Sequence, residues 1–166
     1  CRRYLSDYPD TAHLRELLAV LCAAYARLGE YDGGLEYLKG LAARTTDAER
    51  ARAVEYAVVD LVFRRREFTK AVERLETLLG KTPETAPELP EVLFLYGLSL
   101  YYSGLFEKAA SVFTRIQTDK TFGVKSTLYL SECLLELGKT DLSQRLVDGV
   151  LAEHSQSQYY PYSLFL

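Results

Sequence analysis

Few side chains in this 166-residue sequence could serve as an acid or a base near neutral pH. The two histidines, His13 and His154, both fall near predicted helix ends, where an exposed or capping histidine is the usual state. Neither is spaced from a cysteine or a carboxylate as in a helical zinc motif. The sequence also contains no glycine-framed serine elbow and no phosphate-binding glycine loop. We therefore expect no catalytic residue, no metal and no cofactor, and a protein that is not an enzyme.

The remaining reactive side chains are better explained by structure than by chemistry. Cys1, Cys22 and Cys133 are too few and too far apart for a disulfide framework, and no pair has the spacing of metal ligands. We expect Cys22, at a small-residue packing position, to be structural, and Cys133 to be buried too. Glu132 and Glu136 would share one face of a helix. A solvated acidic edge explains this pair better than acid–base catalysis does.

The composition is that of an ordinary globular protein, with 48% hydrophobic and 26% charged residues. A formal net charge of -3 provides no long-range attraction to nucleic acid or to an anionic membrane. The basic run 64–66 is explained by the preference for cations at the end of a helix. The sequence has neither a transmembrane stretch nor a signal-peptide pattern. We therefore expect no nucleic-acid partner and no transmembrane segment.

A fourfold repeat organises the elements that position these side chains. Its anchors are helix-ending glycines, or in one case an arginine in their place, separated by 37, 38 and 34 residues: Gly29, Arg66, Gly104 and Gly138. Nine and twelve residues after each anchor come apolar residues: Leu38 and Leu41, Leu75 and Leu78, Phe113 and Ile116, Val147 and Val150. Repeats of this length are single supersecondary units that must stack on their neighbours to bury their apolar faces.

Apolar residues at spacings of three and four predict two helices in every repeat. The predicted helices are 11–28, 31–43, 46–65, 68–79, 91–102, 106–116, 122–137 and 141–152. Thr46 and Glu49 predict a capping box at the start of the third helix. No segment alternates with period two for long enough to predict a strand, so the fold class is all-α. We expect one domain over residues 1–166, with repeats at about 12–46, 47–83, 90–120 and 121–155 and partial units at 1–9 and 159–166.

The pattern resembles the tetratricopeptide repeat (TPR). The third repeat matches best, with every expected type in place: Tyr96, Gly97, Leu100, Gly104, Phe106, Ala109 and Phe113. The first is nearly as good but has Gly34 where alanine is usual. The second lacks the turn glycine, and the fourth has Thr140 in place of the ring and Ser143 in place of the alanine. The resemblance covers nearly the whole chain and implies a right-handed solenoid of antiparallel helix pairs.

In this family the first helices of successive repeats line a concave groove. The resemblance therefore implies a partner-binding groove formed by Tyr56, Asp60, Phe63, Arg64, Phe94, Leu98, Tyr101, Tyr102, Lys125, Leu128 and Glu132. Tyrosine and phenylalanine are common interface anchors, yet the same rings are also common core residues, and both interpretations stay open here. Because the chain contains no asparagine, the carboxylate clamp of one TPR subclass is excluded.

The leading functional hypothesis is a protein-interaction scaffold that binds a peptide or helical segment of a partner as part of a larger assembly. The alternative is a self-associating structural module, a homo-oligomer formed through the chain ends, because the tail 159–166 is apolar and terminal repeats normally need a polar cap. A second alternative is an envelope lipoprotein that assists transport or outer-membrane assembly. Small-molecule binding beside a solute transporter is a weaker hypothesis, since no residue singles out a ligand.

The compartment is left open by the sequence. Units longer than 34 residues and the aromatic–proline pair Tyr8 and Pro9 are similar to bacterial envelope repeat proteins, including outer-membrane assembly lipoproteins and proteins of the Tol-Pal system. The chain contains no methionine, so we expect either a processed chain or a piece of a longer one with a partial repeat upstream. A lipidated Cys1 is the rival interpretation. The compartment is therefore unknown, with a bacterial periplasm or envelope suspected and the cytoplasm as the alternative.

Overall fold

A computed structural model describes Leu5 and residues 11–153 of the chain. Over residues 11–153 it contains eight α-helices and no strand, which confirms the all-α prediction. We number them α1 to α8: Leu14–Leu28, Tyr31–Ala42, Ala48–Arg64, Phe68–Leu79, Leu89–Tyr102, Phe106–Arg115, Gly123–Glu136 and Thr140–Glu153. Leu5 is helical and buried, while the other residues of the predicted partial units, 1–9 and 159–166, lie outside the described residues.

The chain divides into two compact units, Cys1–Pro83 and Glu84–Leu166. Their boundary falls in the proline-rich segment 81–90, between the second and third predicted repeats. The first unit holds α1 to α4 and the second holds α5 to α8. Each unit therefore contains two helical hairpins.

In the first unit, α3 is the central helix and packs on α1, α2 and α4. The Cys22 thiol on α1 donates a hydrogen bond to the backbone carbonyl of Ala57 on α3, at 3.3 Å. Gly34 on α2 occupies the position where the repeat usually has alanine. A Cβ atom there would lie 2.6 Å from Leu61 Cδ2 and 2.9 Å from the Tyr25 ring, so a larger residue at this site would force these side chains to shift.

In the second unit, α6 packs between α5 and α7, and α8 covers α7. Phe113 of α6 is fully buried and fills the space left by Gly97 on α5. Its ring stacks on Tyr129 of α7, with centroids 5.5 Å apart and planes 18° from parallel. The contacts of Phe113 thus join two successive repeats, as a ring at this repeat position is expected to do.

The four repeat anchors share one turn geometry. Gly29, Gly104 and Gly138 have φ values of 70°, 75° and 72°, and Arg66 takes the same left-handed conformation with φ 65°. In every turn the N–H after the anchor bonds to the carbonyl four residues before the anchor: Glu30 to Tyr25, Glu67 to Val62, Leu105 to Leu100 and Lys139 to Leu134. This is the helix-ending bond pattern that favours glycine. The interpretation of Arg66 as a substitute for glycine is confirmed.

The start of α3 differs from the expected capping box. The helix begins at Ala48, and its N-cap is Asp47, whose carboxylate accepts a hydrogen bond from the Arg50 N–H at 2.9 Å. Thr46 therefore lies one residue too early to cap the helix, and its predicted pairing with Glu49 is wrong. Aspartate serves well at an N-cap because its side chain satisfies a helix N–H that has no backbone partner.

Candidate partner-binding surface

The predicted groove residues fall into one set in each unit. Tyr56, Asp60, Phe63 and Arg64 lie on α3 in the first unit, whereas the other seven lie on α5 and α7 in the second. The α5 residues are Phe94, Leu98, Tyr101 and Tyr102, and the α7 residues are Lys125, Leu128 and Glu132. The two sets are described separately, each within its own unit.

On α3, the charged pair is engaged within the helix. Arg64 Nε lies 2.8 Å from Asp60 Oδ2, the spacing of an i,i+4 ion pair, and this hydrogen bond is the main reason that the pKa of Arg64 is raised. Phe63 meets the Phe68 ring edge-on, with centroids 5.3 Å apart. A partner that used Arg64 would have to compete with Asp60 for the guanidinium.

On α5 and α7, two of the predicted groove residues contribute to internal packing. Phe94 is half-buried and meets three other rings, those of Phe113, Phe122 and Tyr129, at centroid distances of 6.0, 5.1 and 6.0 Å. Leu128 is buried. For these two residues the structure favours internal packing, the other interpretation that the sequence left open.

Tyr101 stands at the centre of an aromatic cluster that reaches solvent. Its ring meets Tyr102, Phe106 and Tyr129 edge-on, at centroid distances of 5.3, 5.6 and 5.6 Å. Burial, followed by a hydrogen bond to the Glu132 carboxylate and the charge of that group, raises the pKa of the Tyr101 hydroxyl. The ring is therefore held from two helices and is pre-organised.

We call Tyr101, Tyr102, Tyr129 and Glu132 the tyrosine surface. Tyr102 is 48% exposed, and Tyr101, Tyr129 and Glu132 are partly exposed, so the surface presents aromatic area together with a carboxylate. The α5 residues derive from one repeat and the α7 residues from the next. The surface is therefore a product of repeat stacking within the second unit.

Tyr129 is the residue that the sequence-based prediction missed. It lies nine residues before Gly138, a position at which the other repeats have the aliphatic residues Val20, Ala57 and Leu95. Tyr129 is the one aromatic residue at this position in the four repeats. This difference could have indicated from the sequence that Tyr129 contributes to the surface. Its contacts with Phe94, Tyr101 and Phe113 could not be derived from spacing alone, because they cross between helices.

Other candidate chemistry remains dispersed. Residues 11–153 contain no cluster of three or more His, Cys, Asp and Glu side chains that could hold a metal ion. His13 is exposed, and His154 lies outside the described residues. Burial raises the pKa of both the Cys22 and the Cys133 thiols to about 12. Within the same range, no helix is long and apolar enough to span a membrane.

An open cavity of about 730 Å³ lies between α2, α3 and α4 in the first unit. Four ion pairs join residues that line it: Arg65 with Asp32 at 2.6 Å, Arg65 with Glu67 at 3.2 Å, Lys70 with Glu67 at 3.0 Å and Arg74 with Glu55 at 2.9 Å. Because these rim charges already neutralise one another, we interpret the cavity as a solvated, salt-bridged surface.

Solved structures with the same fold are TPR proteins. The chain is similar to a putative kinesin light chain with nearly identical TPR-like repeats from Podosopora anserina, with 15% identity, coverage of 92% of this chain and 84% of that chain, and a TM-score of 0.75. It is also similar to the apo form of RapI, with 14% identity, coverage of 96% of this chain and 62% of that chain, and a TM-score of 0.75. A thermophilic TPR protein of Thermus thermophilus is 19% identical, with coverage of 99% of this chain and 87% of that chain and a TM-score of 0.68. No family model and no curated protein matches the sequence. The fold is thus TPR-like, as the resemblance implied.

Proposed function

We propose that this chain is a protein-interaction scaffold and that its tyrosine surface binds a segment of a partner protein. A TPR-like fold generally mediates contacts between proteins, which supports the broad function. The observation that carries the specific proposal is the packing of the Tyr102 and Tyr129 rings against Tyr101, whose hydroxyl is influenced by the Glu132 carboxylate. The bacterial envelope type and a role in a larger assembly remain predictions from the sequence.

The rings of this surface are suited to recognition because they lose little freedom on binding. Tyr101 already contacts Phe106 and Tyr129, so its rotamer is restricted before a partner arrives. Ordering a flexible side chain at an interface costs about 0.5–1.5 kcal/mol, and this cost is reduced here. Aromatic anchors of this kind account for a large share of binding energy at protein interfaces.

The charge of the surface selects the partner. Glu132 and Glu136 both act electrostatically on the Tyr101 hydroxyl, so two carboxylates contribute negative charge near this ring. An arginine or lysine placed over these rings would gain from the carboxylates and from the negative faces of the aromatic rings. We therefore propose that the bound segment carries a basic residue beside an apolar one.

Selection from a random-peptide library on the immobilised protein tests this function. We expect enrichment of peptides in which arginine or lysine neighbours a large apolar residue. Tyr102→Ala should weaken an enriched peptide by about 2 kcal/mol, or about thirtyfold in Kd, if the ring is an anchor. Failure to enrich any basic–apolar motif would contradict the proposal.

Leu142→Ala is the matched control. Leu142 on α8 is 49% exposed, close to the 48% of Tyr102, but it belongs to a second helix of the repeat array. Its truncation should leave peptide binding unchanged. Equal losses for Tyr102→Ala and Leu142→Ala would indicate nonspecific apolar adsorption and would contradict a site at the tyrosine surface.

Glu132→Lys tests the contribution of the charge to binding separately from that of the rings. Because Glu132 is partly exposed, the substitution need not bury a charge. It should reverse the preference from basic to acidic peptides, since the rings remain while the local potential changes sign. Retained preference for basic peptides would place the charged contact elsewhere.

A further inference from the structure

Another open cavity, of about 380 Å³, lies within the second unit. Its walls are formed by the segment 117–120 between α6 and α7, by the first turns of α7 and by α8. The residues that line it fall between positions 117 and 150, and the structure describes all of them. A volume of this size is within the range of small-molecule sites, about 300–1,000 Å³. We call this space the α7–α8 cavity.

The α7–α8 cavity is separate from the tyrosine surface. Val124 and Thr127 of α7 line the cavity and, three residues apart, lie on one side of the helix. Tyr129 follows Val124 by five residues and Thr127 by two, which places it on the other side of the helix. A ligand in the cavity therefore leaves the tyrosine surface uncovered.

The segment 117–120 is held in place against α7. A Cβ atom on Gly123 would overlap the carbonyl oxygen of Gln117, so the two segments touch through their backbones. The Asp119 carboxylate accepts hydrogen bonds from the Thr121 and Phe122 N–H groups, both at 2.8 Å. The Gly123 N–H donates to the Asp119 carbonyl at 2.9 Å. This wall of the cavity is thus ordered, and the Asp119 carboxylate is already engaged by the backbone.

Arg145 of α8 lines the cavity and is not paired along its own helix. Asp141 lies four residues before it and Asp148 three residues after it, which are spacings at which helical ion pairs form. Within residues 11–153, Arg145 forms no ion pair with either, and Asp148 instead accepts a hydrogen bond from the Gln144 amide at 2.9 Å. The N–H donors of the Arg145 guanidinium are therefore available to a ligand in the cavity.

The charges that line the α7–α8 cavity are unbalanced. Lys120 and Arg145 contribute two cations from different walls, and Asp119 is the single acidic residue among the lining residues. No ion pair in the described part of the chain joins Asp119 to either cation. The salt-bridged cavity of the first unit is different, since four basic and four acidic side chains line it and four ion pairs join them. The excess positive charge favours an anionic ligand.

The rest of the lining suits an apolar group. Val124 and Leu146 are half-buried and Val150 is buried, and all three line the cavity. Gly149 also lines it, and no atom lies within 4 Å of the position of a Cβ atom there. The missing side chain of Gly149 therefore contributes to the open space. Apolar walls with a small number of polar groups are typical of small-molecule sites.

We propose that the α7–α8 cavity binds a small organic anion, namely a phosphate monoester or a carboxylate on a compact apolar group. The anionic group lies between Lys120 and Arg145, and the apolar group lies against Val124 and Leu146. Arginine is suited to this role because its planar guanidinium binds carboxylate and phosphate oxygens through two parallel hydrogen bonds. This site does not depend on the proposed scaffold function.

NMR titration of the isotope-labelled full chain with four probes tests the proposal. Phenyl phosphate and benzoate carry both an apolar ring and an anionic group, whereas inorganic phosphate lacks the ring and phenol lacks the charge. We expect saturable shifts of the backbone amides of residues 117–124 and 145–150 with the first two probes, and weaker binding of the other two. Phenyl phosphate should bind more tightly than benzoate, because a phosphate monoester carries a charge of about −1.5 to −2 at pH 7. The ratio of these two Kd values identifies the preferred anionic group.

Three variants test the contributions of the two walls. Lys120→Ala and Arg145→Ala should each raise the Kd of phenyl phosphate by about fivefold or more. Gly149→Leu should abolish binding because its side chain fills the cavity, while the fold is retained since leucine is the better helix former. Circular dichroism of each variant checks the fold.

Lys108→Ala is the matched control for charge. Lys108 is an exposed lysine on α6 in the same unit, and it does not line the cavity. Its removal should leave the Kd unchanged. Equal effects of Lys108→Ala and Lys120→Ala would overturn the proposal, because they would indicate general attraction of anions to the surface. Absence of saturable shifts, or unchanged binding by a folded Gly149→Leu variant, would overturn it as well. Peptide selection on the tyrosine surface is unaffected by any of these outcomes.

Discussion

A Cβ atom built on Gly97 of α5 would lie 2.5 Å from Cε1 of Phe113 on α6. Both residues are buried, and the ring of Phe113 also contacts those of Tyr129 and Phe94. The ring cannot move away without disturbing the next repeat. The missing side chain of Gly97 is therefore a requirement of packing and does not reflect the turn chemistry that explains the anchor glycines.

Gly97→Ala should destabilise the second unit by about 1–3 kcal/mol, because the added methyl group overpacks a filled core. Gly149→Ala on α8 is the matched control in the same unit, since no atom lies within 4 Å of its Cβ position. That variant should gain about 0.5–1 kcal/mol from helix propensity alone. Urea unfolding followed by circular dichroism measures both effects. A neutral Gly97→Ala would show that the Phe113 ring can relax.

Arg66 provides a second test, this time of backbone strain. Its φ of 65° is a conformation that costs a residue with a Cβ atom about 1–2 kcal/mol, and the side chain is exposed. Arg66→Gly should therefore stabilise the first unit by about 0.5–1 kcal/mol, since the relief of strain exceeds the added freedom of the unfolded chain. Urea unfolding of the variant and the parent measures the difference.

Gly104→Ala is the reverse experiment at the equivalent turn. Its φ is 75° and no atom lies within 4 Å of the Cβ position, so the substitution tests the backbone alone. We expect a loss of about 1 kcal/mol. If Arg66→Gly lowered stability, a side-chain contribution of Arg66 would have to outweigh its strained backbone.

The sequence predicted the helices and turns because these depend on local spacing. All eight helices were placed within three residues of their observed ends, and Arg66 was identified as a turn residue although it is not glycine. Contacts between helices were harder to predict from the sequence. Neither the close approach of Leu61 to Gly34 nor the bridging position of Tyr129 follows from the period, because each depends on how residues from different repeats fit together.

The candidate site was predictable only as a set of positions. The repeat offsets selected Tyr101, Tyr102 and Glu132, but they also selected Leu128, which is buried, and Phe94, which belongs to the internal aromatic cluster. A groove position tells which side of a helix a residue lies on. Whether its ring remains exposed depends on the size of its neighbours, and this information is held by the three-dimensional packing.

Substitutions of two neighbouring residues test which of them caps the N-terminus of α3. Asp47→Ala should cost about 1 kcal/mol, because the Arg50 N–H loses the carboxylate that accepts its hydrogen bond. Thr46→Ala, one residue earlier and exposed, should change stability by less than about 0.5 kcal/mol. Urea unfolding measures both variants. A larger loss for Thr46→Ala than for Asp47→Ala would restore the capping box that the sequence suggested.

The two buried cysteines predict a pH dependence of stability and of thiol reactivity. Burial is the main cause that raises the pKa of Cys22 and Cys133 from 9.0 to about 12. In the unfolded chain the thiols ionise near pH 9, so the folded state is progressively disfavoured as the pH rises from 9 towards 12. Their contribution to stability is fully present below pH 9. Cys22→Ala and Cys133→Ala should each make this alkaline loss of stability smaller.

Alkylation kinetics measure the same burial directly. Because the thiolate is the reactive form, both thiols should react with iodoacetamide at pH 8 much more slowly in the folded protein than in urea. A Cys1→Ser background confines the signal to Cys22 and Cys133, since the chain has three cysteines. Quantifying each modified peptide by mass spectrometry separates the two units, because Cys22 belongs to the first and Cys133 to the second. Rapid modification of Cys133 alone, in folded protein, would show that α7 opens locally and that the tyrosine surface beside it is not pre-organised.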